Sequence, residues 1–112
     1  MDEFLSKGGK NYIDAVAYHF YADVSEDSDA NIRLIRMIMD KNGLKNKQLI
    51  NSEAGTGGRL KGEPDIIAAG YVARQYIINW IDGVSLFNWY QWNNPWEGIM
   101  TPMVGKNGML IS

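Results

Sequence analysis

Glu53 closes the apolar run "QLINSE" and is followed at once by Ala54 and by glycines at positions 55, 57 and 58. A strand that only had to stop has no use for a carboxylate there. A carboxylate at such a position can act as a nucleophile or a base when a phenol or an imidazole holds it by hydrogen bonds. Both groups are at hand, because the run "DAVAYHFY" ends in His19 and Tyr21. A third run, "GVSLFNWY", ends in Trp89, and Trp92 and Trp96 follow within seven residues. Flat rings grouped at one segment's end suit stacking on the apolar face of a sugar. Acid, phenol, imidazole and indole together point to carbohydrate chemistry. Plainer roles stand beside these: an ion pair of Glu53 with Arg59 or Arg74, a satisfied core histidine at His19, a packed phenol at Tyr21, and loop packing for Trp92 and Trp96.

These residues share a locality only if the chain brings the three run ends together. The runs Asp14–Tyr21, Gln48–Glu53 and Gly83–Tyr90 read as strands, each bounded by Gly, Asn or Asp. Ser28–Asn42 reads as a helix with Ile32, Ile35, Ile38 and Met39 on one stripe, stopped by Gly43. Pro64–Asp82 reads as another, opening on proline, repeating Ile66, Ala69, Ala73, Ile77 and Trp80, and stopped by Gly83. Trp80 on that stripe is expected in the core. "DEFLSK" before Gly8 and Gly9 reads as the tail of a further helix. Strand starts at 14, 48 and 83 lie 34 and 35 residues apart, a full crossover each time, which predicts parallel strands with right-handed connections. The fold class expected is α/β, a parallel βαβαβ segment. In such folds functional side chains gather at the carboxyl ends of the strands. Strict alternation puts His19 with Tyr21 on one face, Asn51 with Glu53 on one face, and Phe87 with Trp89 on one face.

In order and spacing, "DAVAYHFY", "QLINSEAG" and "GVSLFNWYQWNN" resemble strands six, seven and eight of the clan of retaining glycoside hydrolases on the (β/α)8 barrel, which includes cellulase-like and xylosidase-like families. The helix phrase "AAGYVARQYIINWIDGV" is similar to the helix before strand eight in some of them. The resemblance covers nearly the whole chain. It implies that Glu53 is the catalytic nucleophile, that Tyr21 and His19 contact it, and that Trp89 floors the sugar site; Trp92 and Trp96 are read beside it as cleft rim or loop packing, with Trp92 taken as substrate-binding. It also implies a partial TIM barrel of about three of eight strands, so that residues 1–112 form the C-terminal part of a catalytic domain whose whole takes about 250 residues. The family's acid/base is a second Glu, usually after Asn at the end of strand four, and no such strand precedes Asp14. Retaining chemistry needs two carboxylates about 5 to 5.5 Å apart. Glu26, Glu63 and Glu97 fall on expected loops and are taken as solvated charges, so the chain alone is expected to be inactive.

Composition bounds the rest. Lys and Arg number 11 against 13 Asp and Glu, with no basic cluster among the aromatics, which removes the footprint of a nucleic-acid binder. Cysteine is absent, and a single histidine leaves little from which to build a metal site, so no cofactor is expected. No apolar run approaches the ~18 residues of a bilayer span, and "MDEFLSKGGK" lacks the core of an export signal; the location of a longer parent is not read from it. The glycines after Glu53 are no phosphate cradle, since the next helix opens near Pro64 and no GxxxxGK is present. The partner expected is an oligo- or polysaccharide, and unpaired edges on the outer strands predict self-association or dependence on the rest of a barrel. Two other classes stay open: a carbohydrate-binding module without catalysis, and a small doubly wound domain, which would want an acidic cluster at the end of its first strand.

Overall fold

The computed structural model describes residues 1–56 and 65–90. Within them the chain is α/β: α1 (Asp2–Ser6), a 3₁₀ turn (Gly9–Tyr12), β1 (Ala15–Tyr21), α2 (Asp27–Lys41), β2 (Gln48–Gly55), α3 (Asp65–Ile81) and β3 (Leu86–Trp89). The three strands form one parallel sheet in the order β1-β2-β3. The expected order of elements and the parallel pairing are both present. Strand two runs further than expected, through Gly55, and strand three is shorter.

Both long helices end in the same way. Gly43 and Gly83 have φ of 78° and 71°, the left-handed region that only glycine enters without strain. At the first end Gly43 N–H donates to Asp40 O at 3.0 Å and Leu44 N–H to Met39 O at 2.9 Å; at the second, Gly83 N–H donates to Trp80 O at 3.1 Å and Val84 N–H to Asn79 O at 2.9 Å. These are paired Schellman bonds, which satisfy carbonyls the helix itself leaves open. The residue after each glycine, Leu44 or Val84, drops into the core.

That core lies between α2 and the sheet and consists of Leu5, Val16, Ile32, Met39, Leu44, Leu49 and Val84. Each fully buried aliphatic side chain contributes roughly 1.5–3 kcal/mol. Asp2 ties α1 to the end of α2, accepting from Lys41 Nζ at 2.7 Å and Asn42 Nδ2 at 2.8 Å, and the Lys41 ammonium holds its carboxyl below the usual range. Arg33 on α2 binds Asp29 at 2.7 Å and reaches Asp82, just past α3, at 3.7 Å. Burial pushes the Asp82 carboxyl up, while the Arg33 guanidinium pulls Asp29 down.

The third helix departs from expectation. Trp80 is 79 % exposed and Ile66 78 %, so the apolar stripe faces away from the sheet and Trp80 is not a core residue. The buried face carries Ala68, Tyr71, Gln75 and Asn79. Their polar atoms are knitted together. Tyr18 Oη donates to Asn79 Oδ1 at 3.1 Å, and Asn51 Nδ2 to the same oxygen at 3.2 Å. Asn79 Nδ2 donates to Gln75 O at 2.8 Å, Ser28 Oγ to Gln75 Oε1 at 2.9 Å, and Gln75 Nε2 to Tyr71 Oη at 3.2 Å. Asn51 Oδ1 is the one buried side-chain oxygen of this cluster without a partner; the other amide and phenol groups satisfy one another, which lets a polar face turn inward.

Two outcomes follow. Asn79→Leu keeps the volume but strands the Tyr18 hydroxyl and the Asn51 amide, so thermal or urea unfolding should show a loss of about 3 kcal/mol; a loss under 1 kcal/mol would show that the network is not holding the helix. Burial also raises the Tyr18 and Tyr71 phenols. A phenol whose folded value is raised stabilises fully below the unfolded value of about 10 and loses that contribution as pH rises through the folded value. The urea midpoint should therefore fall as pH climbs above about 10, and a midpoint flat to the point of alkaline collapse would contradict the burial of these two groups.

Candidate active site

The carboxyl ends of β1 and β2 bring three of the expected residues together. The Tyr21 hydroxyl donates to Glu53 Oε1, and His19 Nδ1 lies 3.7 Å from Glu53 Oε2. One oxygen is thus engaged by a phenol and the other faced by an imidazole. The Glu53 side chain is 33 % exposed and that of His19 59 %, so the carboxylate is accessible while its direction is fixed. A partly exposed carboxylate with an engaged oxygen can attack an electrophilic carbon or accept a proton.

The way Glu53 reaches this position corrects the expected alternation. Tyr18 is paired with Asn51, yet His19 is paired with Glu53, because Ser52 is an extra residue in β2. Its Oγ donates to Tyr18 O at 3.2 Å. Such a bulge sets two residues of one strand against one of its neighbour and reverses which face the next side chain takes. Asn51 is buried against Asn79 on the helix side, and Glu53 stands with His19 and Tyr21 on the other. Asn51 and Glu53 do not share a face.

Trp89 is not with them. Its ring packs edge-on against Tyr71 of α3, with centroids 6.0 Å apart and planes at 76°. Phe87 packs likewise against Tyr76, at 4.6 Å. These two do share a face, as expected, but it is the helix side, the side away from Glu53. The Trp89 indole nitrogen is buried there without a hydrogen-bond partner. Of the acids set aside as loop charges, Glu26 pairs with Arg74 at 3.2 Å, which removes Arg74 as a partner for Glu53. Trp92, Trp96, Glu63, Glu97, Arg59, Gly57 and Gly58 lie outside the described residues. Among the described residues no group of three or more His, Asp or Glu side chains is placed to hold a metal ion.

A second layer that sequence reasoning missed supports the trio. Tyr71 Oη donates to Ala22 O at 2.5 Å, and Ser25 Oγ to Tyr71 O at 3.1 Å. The backbone just beyond Tyr21 is therefore fastened to α3, which fixes where the Tyr21 ring can point. The signal was present in the four-residue spacing of Tyr71, Gln75 and Asn79, uncharged polar residues on one face of a helix whose other face is apolar.

Glu53 is not part of the core, so Glu53→Gln, which keeps an acceptor for Tyr21, should leave unfolding within about 0.5 kcal/mol of the parent. A loss above 2 kcal/mol in a urea titration would make it a structural residue instead. No protein-family model matches the chain, and no significant match is found among the curated proteins or the solved structures.

Proposed function

We propose that this chain carries the nucleophile side of a retaining β-glycoside hydrolase site, on strands equivalent to the sixth, seventh and eighth of a (β/α)8 barrel. The observation that carries the reading is the Glu53 carboxylate engaged by Tyr21 and faced by His19 at the carboxyl ends of adjacent parallel strands. The strand order adds support. A doubly wound sheet reverses its strand order and covers both faces with helices. Here the order is sequential, and α2 and α3 both contact the face opposite Glu53, through Ile32 and Met39 on one and Asn79 on the other. Sequential winding with helices on one side is how a barrel is built.

In the proposed reaction Glu53 attacks the anomeric carbon as the bond to the leaving oxygen breaks. That oxygen takes a proton from a second carboxylic acid, and the sugar remains as an ester on Glu53. The second group, now a carboxylate, takes a proton from water, the water oxygen bonds to the anomeric carbon, and Glu53 departs as a carboxylate. The Tyr21 hydroxyl directs one Glu53 oxygen and leaves the electron pairs of the other for attack. On this reading the acid/base comes from outside the described residues, and an oligo- or polysaccharide is the substrate. Trp89, packed on Tyr71, gives no support to the sugar-floor role; alternation along β3 puts Asn88 on the face of Glu53.

A 2,4-dinitrophenyl 2-deoxy-2-fluoro-β-glycoside tests the nucleophile directly, because its leaving group departs without protonation. Peptide mapping of the protein treated with gluco-, galacto-, manno- and xylo-configured reagents should find one glycosyl ester, on Glu53, and none in Glu53→Gln. An adduct on another residue, no adduct with any of the four, or equal labelling of the variant would overturn the assignment.

A further inference from the structure

The outward face of α3 is the most apolar exposed surface among the described residues. Ile66 is 78 % exposed, Trp80 79 %, Ile81 72 % and Ile77 51 %, and Ala73 between them is exposed as well. Between Ile66 and Ile81 the only charged residue is Arg74, which is held by Glu26. The face lies opposite the buried row of Ala68, Tyr71, Gln75 and Asn79, so it points away from the sheet. Elements that extend the sheet would flank α3 and would not cover it. Four large apolar side chains, each more than half exposed on one helix face, form the kind of contiguous apolar patch that marks an interaction surface.

We infer that this face is a two-fold interface between two copies of the chain, joined α3 to α3 in antiparallel fashion and crossing at Ala73. The size pattern along the stripe is its own complement. Ile66 and Trp80 lie seven residues to either side of Ala73, and Ala69 and Ile77 lie four to either side. Antiparallel pairing about Ala73 therefore sets Trp80 over Ile66 of the second copy and Ile77 over the small Ala69, large against smaller, as an isologous contact requires. The stripe has no charge with which to choose an acidic or basic partner, and none to repel its own copy. This interface does not depend on the glycosidase reading, since it lies on the opposite side of the sheet from Glu53.

The absence of native cysteine permits a clean test in the full chain. Helices packed about 8–10 Å apart, with Cα atoms about 2.3 Å from each axis, bring facing Cα atoms to about 5 Å, within disulfide range. Under mild oxidation Ala73→Cys should form a linked dimer at least tenfold faster than Ala30→Cys, an exposed control on α2. Adding Trp80→Lys to the Ala73→Cys chain should remove that advantage, and the unmodified chain should sediment as a reversible dimer at tens of micromolar. Equal rates at the two positions overturn the interface. So does a dimer that survives Trp80→Lys, which would mark pairing through strand edges. A monomer at every concentration overturns it too, including the case in which residues 91–112 cover the stripe.

Discussion

Ser52 is the residue that β2 carries in excess of β1, and the direction of Glu53 follows from it. Without the bulge, a strand whose Leu49 and Asn51 are buried against the helices would send its third alternate residue, Glu53, into the same layer. A carboxylate there would meet Tyr18, Asn79 and Gln75 and would be desolvated at a cost of several kcal/mol. With the bulge, one strand serves two faces in succession. Leu49 and Asn51 pack toward the helices, and Glu53 stands on the open side. Tyr21 and His19 need no such adjustment, because β1 alternates regularly and presents them on the open side throughout.

The layer between sheet and α3 is the counterpart of that arrangement. Bonds from Tyr18, Asn51 and Ser28 converge on Asn79 and Gln75, and Tyr71 carries the chain of contacts on to the Ala22 carbonyl. Bonded in this way, with Asn51 Oδ1 alone among these groups left without a partner, the layer gives α3 one orientation, with its apolar side outward. The same Tyr71 contacts the backbone after Tyr21 and the ring of Trp89, so the ends of β1 and β3 are located by one side chain.

The sequence made legible those features governed by neighbours along the chain. Gly43 and Gly83 mark helix ends because left-handed backbone needs glycine locally, and the 34- and 35-residue spacing implies parallel pairing because a crossover has a minimum length. Glu53, Tyr21 and His19 could be brought together from strand ends alone. What stayed hidden depends on distant partners. Asn79 is buried because Tyr18, 61 residues away, donates to it, and no periodicity within α3 reports that; the apolar stripe therefore looked like the inner face. Nothing in "QLINSE" marks Ser52 as an inserted residue, so strict alternation placed Glu53 correctly at a strand end and wrongly beside Asn51. Trp89 was expected near Glu53 from its place at a strand end, whereas its face was set by Tyr71.

The hydrogen-bonded seat of α3 also has a mechanical meaning. A helix held to a sheet only by aliphatic side chains rests on something like a greased bearing, where a small slide or roll exchanges one contact for a similar one. Here the helix is keyed. Its inner face engages at Tyr71, Gln75 and Asn79, one turn apart, and a slip by a single residue would disengage all three together. Such a joint has no half-shifted settings to creep through, so it transmits load rigidly until it releases as a whole.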